Sequence, residues 1–284
     1  MDAGVRLMGV VNVTPDSFSD GGRFLDADRA AAHARELFAS GAAILDIGGA
    51  STRPGADPVS VEEELRRVAP VFERLAAAPV PAQLSIDTSR VEVARAALDS
   101  GATLVNDVTA LRDEPELAGL VAERRADCCL MHMLGEPRTM QRDPRYGDVV
   151  SEVKAFLQER LAFAVGEGVA EERILLDPGI GFGKTVEHNL ELLRRLDELV
   201  ELGRPVVVGV SRKSFLGAIT GRPVDERVAA TVAACVLALE RGATVFRVHD
   251  VAAVGDGLAV ATATVRPPWR PTSTTTTTTG TPTS

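Results

Sequence analysis

Residues 82–107, AQLSIDTSRVEVARAALDSGATLVND, contain a strand, a helix and a second strand in a pattern that decides the fold. The first apolar run ends at Asp87, and residues 89–100 then carry apolar side chains at helical spacing. Gly101 follows the helix, where a left-handed residue commonly ends a helix before the next strand. The second apolar run ends at Asn106. The segment predicts a β/α unit whose two strands both end in polar side chains.

This alternation extends along most of the chain. The predicted strands are residues 5–11, 43–47, 82–86, 103–105, 127–131, 173–176, 205–210 and 244–248. The predicted helices are residues 27–40, 59–76, 89–100, 114–124, 149–167, 186–200, 225–241 and 251–263. The strand runs show no clear polar alternation, as expected for parallel strands buried on both faces. We predict a single (β/α)8 TIM barrel, with a doubly wound open sheet as the alternative because it shows the same alternation.

Every predicted strand is followed by a polar cluster. The clusters are NVTPDSF at residues 12–18, DIGGASTR at 46–53, SID at 85–87, ND at 106–107, MHM at 131–133, DPG at 177–179, SRKS at 211–214 and RVHD at 247–250. The C-terminal ends of barrel strands meet at one rim, so these distant residues become neighbours there. The pattern predicts that this rim is the active site.

Composition supports one barrel domain. The chain has 284 residues, of which 45% are hydrophobic and 25% charged, as in a soluble globular protein. A barrel takes about 250 residues, so we assign residues 1–266 to it and the Pro-, Thr- and Ser-rich residues 267–284 to a disordered tail. The three cysteines form no CxxC pair and are predicted to be buried thiols.

Charge and hydropathy restrict the partners. The net charge of −9 disfavours nucleic acid, because phosphate binding needs a basic surface. No apolar run approaches the roughly 20 residues of a membrane span, and the first residues do not resemble a secretion signal. We therefore expect a cytoplasmic protein without a membrane or nucleic-acid partner.

Several common catalytic motifs are incomplete. The sequence GIGFGKT at residues 179–185 is not a phosphate-binding GxxxxGK[ST] loop, because Pro178 stands where that motif needs glycine. It also lacks the third glycine of a dinucleotide-binding GxGxxG. No HExxH or closely spaced Cys/His set predicts zinc, whereas Mg²⁺ held mainly by substrate phosphates remains possible.

Two carboxylates at strand ends indicate a polar pocket. Asp87 and Asp177 each end an apolar strand, where burial is costly unless the carboxylate faces a cleft or has a partner. Asp87 has a plain alternative role, namely capping the next helix. Together with Asn106, the two acids suit a planar nitrogen heterocycle, since a carboxylate can accept two parallel N–H bonds.

Cationic residues follow other strands. They are Arg53, Lys213, Arg247 and His249. Surface salt bridging is the ordinary role of such residues. Convergence of the strand ends instead favours a phosphate or diphosphate site.

At this level of detail the chain resembles the dihydropteroate synthase family. The matching motifs are NVTPDSFSDGG at residues 12–22, DIGGASTRPG at 46–55, SIDTS at 85–89, PRTMQ at 137–141, DPGIGFGK at 177–184, SRKSF at 211–215 and RVHDV at 247–251. They occur in the family's order from near the start to about residue 260. The resemblance implies a (β/α)8 barrel, a homodimer and a transferase of folate biosynthesis. That enzyme uses Mg²⁺ to join 7,8-dihydropterin-6-ylmethyl diphosphate to 4-aminobenzoate, which releases diphosphate and 7,8-dihydropteroate.

The resemblance also implies a role for each site residue. The pterin would be held by Asp87, Asn106, Asp177 and Lys213, with Met131 and Phe182 beside it. The diphosphate and its metal would be bound by Asn12, Arg53, Arg247 and His249, with Asp20 assisting as a second metal residue. The aminobenzoate site, which sulfonamides occupy in this family, would be bordered by Phe18, Thr52, Pro54 and Ser214. The catalytic set would be Asp87, Asp177, Lys213, Arg247 and His249. In this view acids lie at one end of the pocket and bases at the other.

The chain departs from the family pattern at two places, and two alternative functions stay open. Ala50 stands where the family usually has Glu, and little sequence precedes the first strand. One alternative is a pterin-binding protein without catalysis, which would lack the cationic set. The other is a methyltransferase that passes a methyl group from a reduced folate to a corrinoid protein. Residues 14–22 and 54–58 are candidate lids.

Overall fold

The computed structural model describes residues 4–14, 23–51 and 57–265 of the chain. Its strands are β1 Arg6–Asn12, β2 Ile44–Gly48, β3 Gln83–Asp87, β4 Leu104–Asp107, β5 Asp127–Met131, β6 Ile174–Asp177, β7 Val207–Val208 and β8 Val245–Val248. Its α-helices are α1 Arg23–Ala39, α2 Val61–Ala77, α3 Val91–Asp99, α4 Leu117–Arg124, α5 Val149–Gly166, α6 Val186–Arg194, α7 Asp197–Val200, α8 Ser214–Thr220, α9 Val228–Glu240 and α10 Val251–Val265. The predicted tail, the domain boundary before it and most of both predicted lids lie outside the described residues.

The strands form one parallel sheet that closes on itself. The order is β6-β5-β4-β3-β2-β1-β8-β7, so the first strand pairs with the last as well as with the second. A parallel bridge between Leu176 and Val206 joins the β6 edge to the segment that leads into β7. The (β/α)8 TIM barrel is therefore confirmed, and the open sheet is wrong.

The barrel interior changes from apolar to polar along the strands. One interior layer is a buried cluster of Met8, Ile44, Leu104, Cys129, Leu175, Val207 and Val245. Because alternate residues of a barrel strand point inward, the next inward positions lie two residues further along. Asp46, Asn106, Asp177 and Arg247 occupy four of these positions. The interior layer at the bottom of the barrel is thus apolar, and the polar residues lie above it at the C-terminal ends of the strands.

The outward side chains pack against the helices. Leu45, Ile47 and Ile86 point away from the interior and belong to a second, larger core with Phe72 of α2. Ser60 caps the N-terminus of the amphipathic α2, because its hydroxyl accepts a hydrogen bond from the backbone N–H of Glu63. With apolar side chains on both faces, the strands read in the sequence as unbroken apolar runs.

The predicted element order is correct, but one helix was missed and another is divided. The segment after β7 contains α8, whose seven residues are fewer than two turns and show no readable periodicity. The predicted helix at residues 186–200 consists of α6 and α7. The predicted glycine stop is confirmed, since Gly101 has φ of 101°. No helix in the described part of the chain is both long and apolar enough to cross a membrane.

Candidate active site

A cavity of about 610 Å³ opens where the strands end. Ten of the residues predicted for the site line it: Asn12, Asp87, Asn106, Met131, Asp177, Phe182, Lys213, Ser214, Arg247 and His249. They come from β1, β3, β4, β5, β6, β8, the loops after β6, β7 and β8, and the start of α8. The rim thus assembles residues up to 237 positions apart, from Asn12 to His249. The remaining predicted residues, Phe18, Asp20, Thr52, Arg53 and Pro54, lie outside the described residues.

An ion network occupies one side of the cavity. Arg247 donates from Nε to Asp46 Oδ2 and from Nη2 to Asp87 Oδ2, both at 2.7 Å. Asp46 is fully buried and also accepts from Ser85 Oγ at 2.6 Å and from Asn106 Nδ2 at 3.0 Å. We call these five residues the Arg247 network. We describe this network as closed, because two carboxylates on adjacent strands already bond to the guanidinium.

The network changes the protonation of Asp87. Burial raises the pKa of Asp87 to about 7, although the positive charge of Arg247 opposes this shift and the neighbouring charge of Asp46 adds to it. Burial also lowers the pKa of Arg247, but Asp46 and Asp87 outweigh it and the net shift is upward. Arg247 therefore stays charged, while Asp87 can hold or release a proton near neutral pH.

A second charged pair, Asp177 and Lys213, lines the same cavity and bonds mainly to backbone groups. Asp177 Oδ1 accepts a hydrogen bond from the backbone N–H of Gly179 at 2.7 Å, and Lys213 Nζ donates to the carbonyl of Ile180. The lysine nitrogen also lies 4.5 Å from the centre of the Phe182 ring. A carboxylate has about four acceptor positions and an ammonium three donors, so both groups retain capacity for a ligand. We call this the Lys213 pair.

Burial dominates the electrostatics of the Lys213 pair. It lowers the pKa of Lys213 to about 8, with Asp177 opposing the shift and Arg247 adding to it. It also raises the pKa of Asp177, against the charge of Lys213 and the hydrogen bond from Gly179. Both charges lack the solvation of water, so a ligand that bonds to them restores part of what burial removed.

An apolar wall completes the cavity. Met131, Met133 and Met140 form a buried cluster against which Val108 and Phe182 pack. Phe182 sits on a glycine-rich loop that lies directly on the chain after β5: a Cβ at Gly179 would stand 1.8 Å from the carbonyl oxygen of His132. Gly179 also has φ of 65°, so both space and conformation require glycine there. The loop therefore packs closely on the chain after β5, and this packing places Phe182 in the wall.

The cations are not separated from the acids as the sequence predicted. Arg247 and Lys213 both lie among the carboxylates, because alternate inward positions of β2, β3, β6 and β8 converge on one layer. His249 lies toward the loop after β7, where its Nδ1 is 2.9 Å from Ser211 Oγ. The prediction of acids at one end and bases at the other is wrong for these residues, and the two charge types interleave.

Lysine is rare in this chain, which makes the site lysine conspicuous. The 31 basic residues include three lysines, Lys154, Lys184 and Lys213. Lys154 pairs with Glu201 at the surface, Lys184 is buried, and Lys213 is half-buried. Lys184 Nζ lies 2.9 Å from His132 Nδ1, and burial lowers the pKa of that imidazole to about 2. The contact joins the end of β5 to the glycine-rich loop, and neither residue lines the cavity.

A second cavity of about 400 Å³ adjoins the first beside Ala50. It shares Ala50, Ser51, Asp87 and Val108 with the first cavity. Glu64 also lines it, and burial raises the pKa of this carboxyl. The departure from the family at Ala50 therefore lies on the boundary between the two cavities.

Two structural contributors were missed in the sequence. Asp46 was quoted within a strand-end cluster, but its fully buried position behind Arg247 depends on which strand residues point inward. Ser211 was likewise not assigned, and its contact with His249 joins two loops. The polar residues at the strand ends indicated both Asp46 and Ser211. That pattern does not show which side chain each of them contacts.

Of the two residues predicted to bind the metal, Asn12 is described by the structure, and Asp20 lies outside the described residues. Asn12 ends β1 and lines the cavity, where it offers an amide oxygen. Among the described residues, no group of three or more His, Cys, Asp or Glu side chains is placed to hold a metal. Asn12 alone fits Mg²⁺ that takes most of its ligands from water and substrate phosphates, and does not fit an ion caged by protein.

The fold and cavity define a class of protein, an α/β-barrel enzyme that binds a flat, hydrogen-bonding heterocycle between carboxylates and an apolar wall. A family model described as pterin binding enzyme matches residues 8–249. The chain therefore belongs to the family of pterin binding enzymes.

Named relatives cover nearly the whole chain. The dihydropteroate synthase of Haemophilus influenzae is 45% identical over 259 residues, which are 91% of this chain and 94% of that protein. The Xanthomonas albilineans dihydropteroate synthase with 4-aminobenzoic acid is 51% identical, with a TM-score of 0.87 over 93% of this chain and 94% of that one. Its complex with 7,8-dihydropteroate is 48% identical, with a TM-score of 0.84 over 93% and 95%. The Yersinia pestis dihydropteroate synthase in a sulfonamide drug complex is 43% identical, with a TM-score of 0.87 over 93% and 96%.

Proposed function

We propose that the protein catalyses the dihydropteroate synthase reaction of folate biosynthesis. It joins 7,8-dihydropterin-6-ylmethyl diphosphate to 4-aminobenzoate and releases diphosphate and 7,8-dihydropteroate. The observation that carries the proposal is the convergence of ten predicted residues on one cavity. Relatives at 45% and 51% identity that are dihydropteroate synthases support it, as does the relative that holds 7,8-dihydropteroate.

The pterin ring lies between the Arg247 network and the Lys213 pair. Its N–H edge bonds to Asp177 and Asp87, its acceptors to Lys213 and Asn106, and its flat face packs on Met131 and Phe182. This assignment follows the available hydrogen-bonding groups: carboxylates accept, the ammonium donates, and the amide does both. A ring that satisfies these buried groups binds specifically, since an analogue lacking one donor leaves a buried charge unpaired.

The chemical step places opposite charges on the two products. The methylene C–O bond breaks, its electron pair leaves with the diphosphate, and positive charge develops on the pterin methylene. Asp87 and Asp177 stabilise that charge, while Arg247 and His249 bind the departing anion. The aminobenzoate nitrogen then forms the new C–N bond and loses one proton. Interleaved charges suit this step, because the pterin cation and the diphosphate are still close together when the C–O bond breaks. Each then needs groups of opposite charge within the same small space.

We assign Asn12, which lines the cavity, and Asp20 as the residues that would hold Mg²⁺. When bound, the ion neutralises charge on the leaving diphosphate.

The aminobenzoate lies near Ser214, at the start of α8 and on the cavity wall. We assign the same position to sulfonamides, which resemble aminobenzoate in shape. Phe18, Thr52 and Pro54 are the other residues we assign to this subsite.

We further propose a homodimer formed through α9 and α10. These helices carry one charged residue each, Glu240 and Asp256. Leu237 and Val260 on their outer surface remain 56% and 69% exposed. Such a face is suited to a second copy of the chain. Sedimentation should give a dimer that Leu237→Glu converts to monomer, and a wild-type monomer at micromolar concentration would refute this assignment. We place the enzyme in the cytoplasm, in keeping with its unpaired, buried cysteines.

The reaction itself is the test of function. Purified protein is incubated with the pterin diphosphate, 4-aminobenzoate and Mg²⁺, and pteroate and diphosphate are both quantified. The proposal expects equal amounts of the two products and none when either substrate or the metal is omitted. Methyl transfer from a methylated folate to a corrinoid protein without pteroate formation would favour the methyltransferase. Pterin binding without either reaction would favour the non-catalytic protein.

A further inference from the structure

The loop after β7 contains a residue with a strained backbone, Arg212, which also lines the cavity. Arg212 has φ of 56°, in the left-handed region that non-glycine residues rarely adopt. It stands third in a turn closed by a hydrogen bond from Lys213 N–H to the Val210 carbonyl at 3.2 Å. Glycine or asparagine usually fills such a position. An arginine there costs about 1–2 kcal/mol of backbone strain, so its side chain has to supply something glycine cannot.

The guanidinium of Arg212 forms a two-point ion pair with Asp250. Nε and Nη2 donate to the two carboxylate oxygens at 2.8 and 2.6 Å. Asp250 lies after β8, so the pair joins two loops of the rim. The two side chains are 31% and 17% exposed, which makes this pair better shielded than most surface ion pairs.

Further contacts hold the same turn. The backbone N–H of Arg212 donates to Oγ1 of the fully buried Thr231 at 3.0 Å, and Arg227 donates to the Arg212 carbonyl at 3.0 Å. On the other side, Ser211 accepts from the backbone N–H of His249 at 3.1 Å. The turn is thus tied to α9 and to the loop after β8, and the residue that follows it is Lys213.

We propose that Asp250 is a positioning residue: through Arg212 it holds the strained turn that places Lys213 in the substrate cavity and keeps His249 beside Ser211. Asp250 does not line the cavity, so its effect on substrate passes through Arg212. The inference rests on the proposed function for its kinetic readout, but its structural readout is independent of function.

Asp250 also precedes α10, and a plain role as helix cap has to be separated from positioning. Aspartate and asparagine cap helices about equally well. Asp250→Asn therefore keeps a cap and removes the charge of the pair, and its unfolding free energy should stay close to wild type. Glu226→Gln is the matched control, because Glu226 is exposed nearby, pairs with Arg222 at 2.8 Å and loses the same charge.

The three lysines make the structural readout simple, since a lysine-specific ¹³C label gives three side-chain signals. In the wild type, burial lowers the pKa of Lys213 to about 8, with Asp177 and Arg247 as its charged neighbours. Asp250→Asn should move this titration upward by about one unit or more, toward the value of about 10.4 of a solvated lysine. Glu226→Gln should leave it unchanged. Lys154, which pairs with Glu201 at the surface, serves as the internal reference.

Replacements of Arg212 separate the turn from the pair. Arg212→Gly adopts the left-handed turn without strain, so Lys213 should titrate near the wild-type value, and adding Asp250→Asn should change nothing more. Arg212→Ala keeps the strain without the pair and should shift Lys213 upward. In kinetics, Asp250→Asn should lower kcat/KM about tenfold, which corresponds to about 1.4 kcal/mol.

An unchanged Lys213 titration in Asp250→Asn would overturn the proposal, whatever the kinetics. An equal shift in the Arg212→Gly background would also overturn it, because Asp250 would then act by another route. If the wild type forms no pteroate, the proposed function fails while the lysine titration still decides the positioning role.

Discussion

The Arg247 network and the Lys213 pair lie in the same cavity. They differ in how many of their hydrogen-bonding groups already bond to other side chains of the protein. In the network, one guanidinium is bound by two carboxylates, and Asp46 is further saturated by Ser85 and Asn106. In the pair, Asp177 and Lys213 bond mainly to backbone groups of one loop. The network therefore contributes to the folded structure as well as to the site, whereas the pair keeps its capacity for ligand.

The difference shows why charge type alone does not assign a role. An arginine after a strand suggests an anion site, yet Arg247 first neutralises two buried acids. Breaking a buried pair costs more than the pair contributes, because the remaining charges stay desolvated. Substitutions in the network should affect stability and activity together, and those in the pair should affect mainly activity.

The largest effect is expected for Arg247→Ala. The unfolding free energy should fall by about 3–5 kcal/mol, because Asp46 and Asp87 lose their partner, and pteroate synthesis should fall at least about 100-fold. From sequence alone we would predict lost catalysis with little change in folding, and the two carboxylates reverse that expectation. Urea unfolding and steady-state kinetics measure both quantities.

Two controls bracket this prediction. Arg194→Ala removes an exposed arginine and should change stability by about 0.5 kcal/mol or less. Adding Asp46→Asn to Arg247→Ala should restore part of the stability, since one unpaired charge disappears. Wild-type stability in Arg247→Ala would contradict the closed network.

Asp177→Asn should separate activity from stability. The amide oxygen still accepts from Gly179, and the penalty for a buried charge is removed, so the unfolding free energy should stay within about 1 kcal/mol of wild type. Pterin affinity should fall roughly 10- to 150-fold, as for loss of a charged hydrogen bond worth about 1.5–3 kcal/mol. Calorimetric titration with a pterin measures the affinity, and a large loss of stability would show that the pair is structural.

The pH dependence of stability gives a smaller effect that reports on the network alone. Asp87 has a pKa of about 7 when folded, against 3.8 for an ordinary aspartate. Its protonated form is therefore favoured by folding, and its contribution is complete below about pH 3.8 and is lost as pH rises through about 7. The stability of wild type minus that of Asp87→Asn should decrease between about pH 5 and 7 and level off near 8. A flat or rising difference in urea unfolding would contradict the upward shift.

The smallest effect is expected for Ala50→Glu, which introduces a carboxylate on the boundary between the cavities. Ala50 belongs to neither charged cluster, so kcat/KM should change by less than about tenfold, the effect of about 1.4 kcal/mol. The added carboxylate lies near Asp87 and should raise the pKa of Asp87 further. Carboxyl ¹³C NMR of both proteins compares this titration, and a downward shift would mean that the new side chain turns away from the network.

Much of the fold was predictable because two regular features of the barrel are visible in the sequence. Strands buried on both faces read as apolar runs, and their polar ends mark the rim, which is how Asp87, Asn106 and Asp177 were found. The inward or outward direction of a residue such as Asp46 is not visible in those runs, because both directions are buried. The short α8 shows no period, and the left-handed Arg212 reads as an ordinary basic residue. Pairing across the barrel is a tertiary property, so the double contact of Arg247 required the structure.

We propose that this cavity joins a pterin to aminobenzoate with the Arg247 network and the Lys213 pair as its charged groups. The most direct measurement compares pteroate and diphosphate formation by the wild type and by Asp177→Asn, with urea unfolding of both proteins. We expect equal amounts of the two products from the wild type, and a rate at least about tenfold lower from a variant that unfolds at the wild-type urea concentration. A wild type that forms no pteroate, or a variant that keeps the full rate, would contradict it.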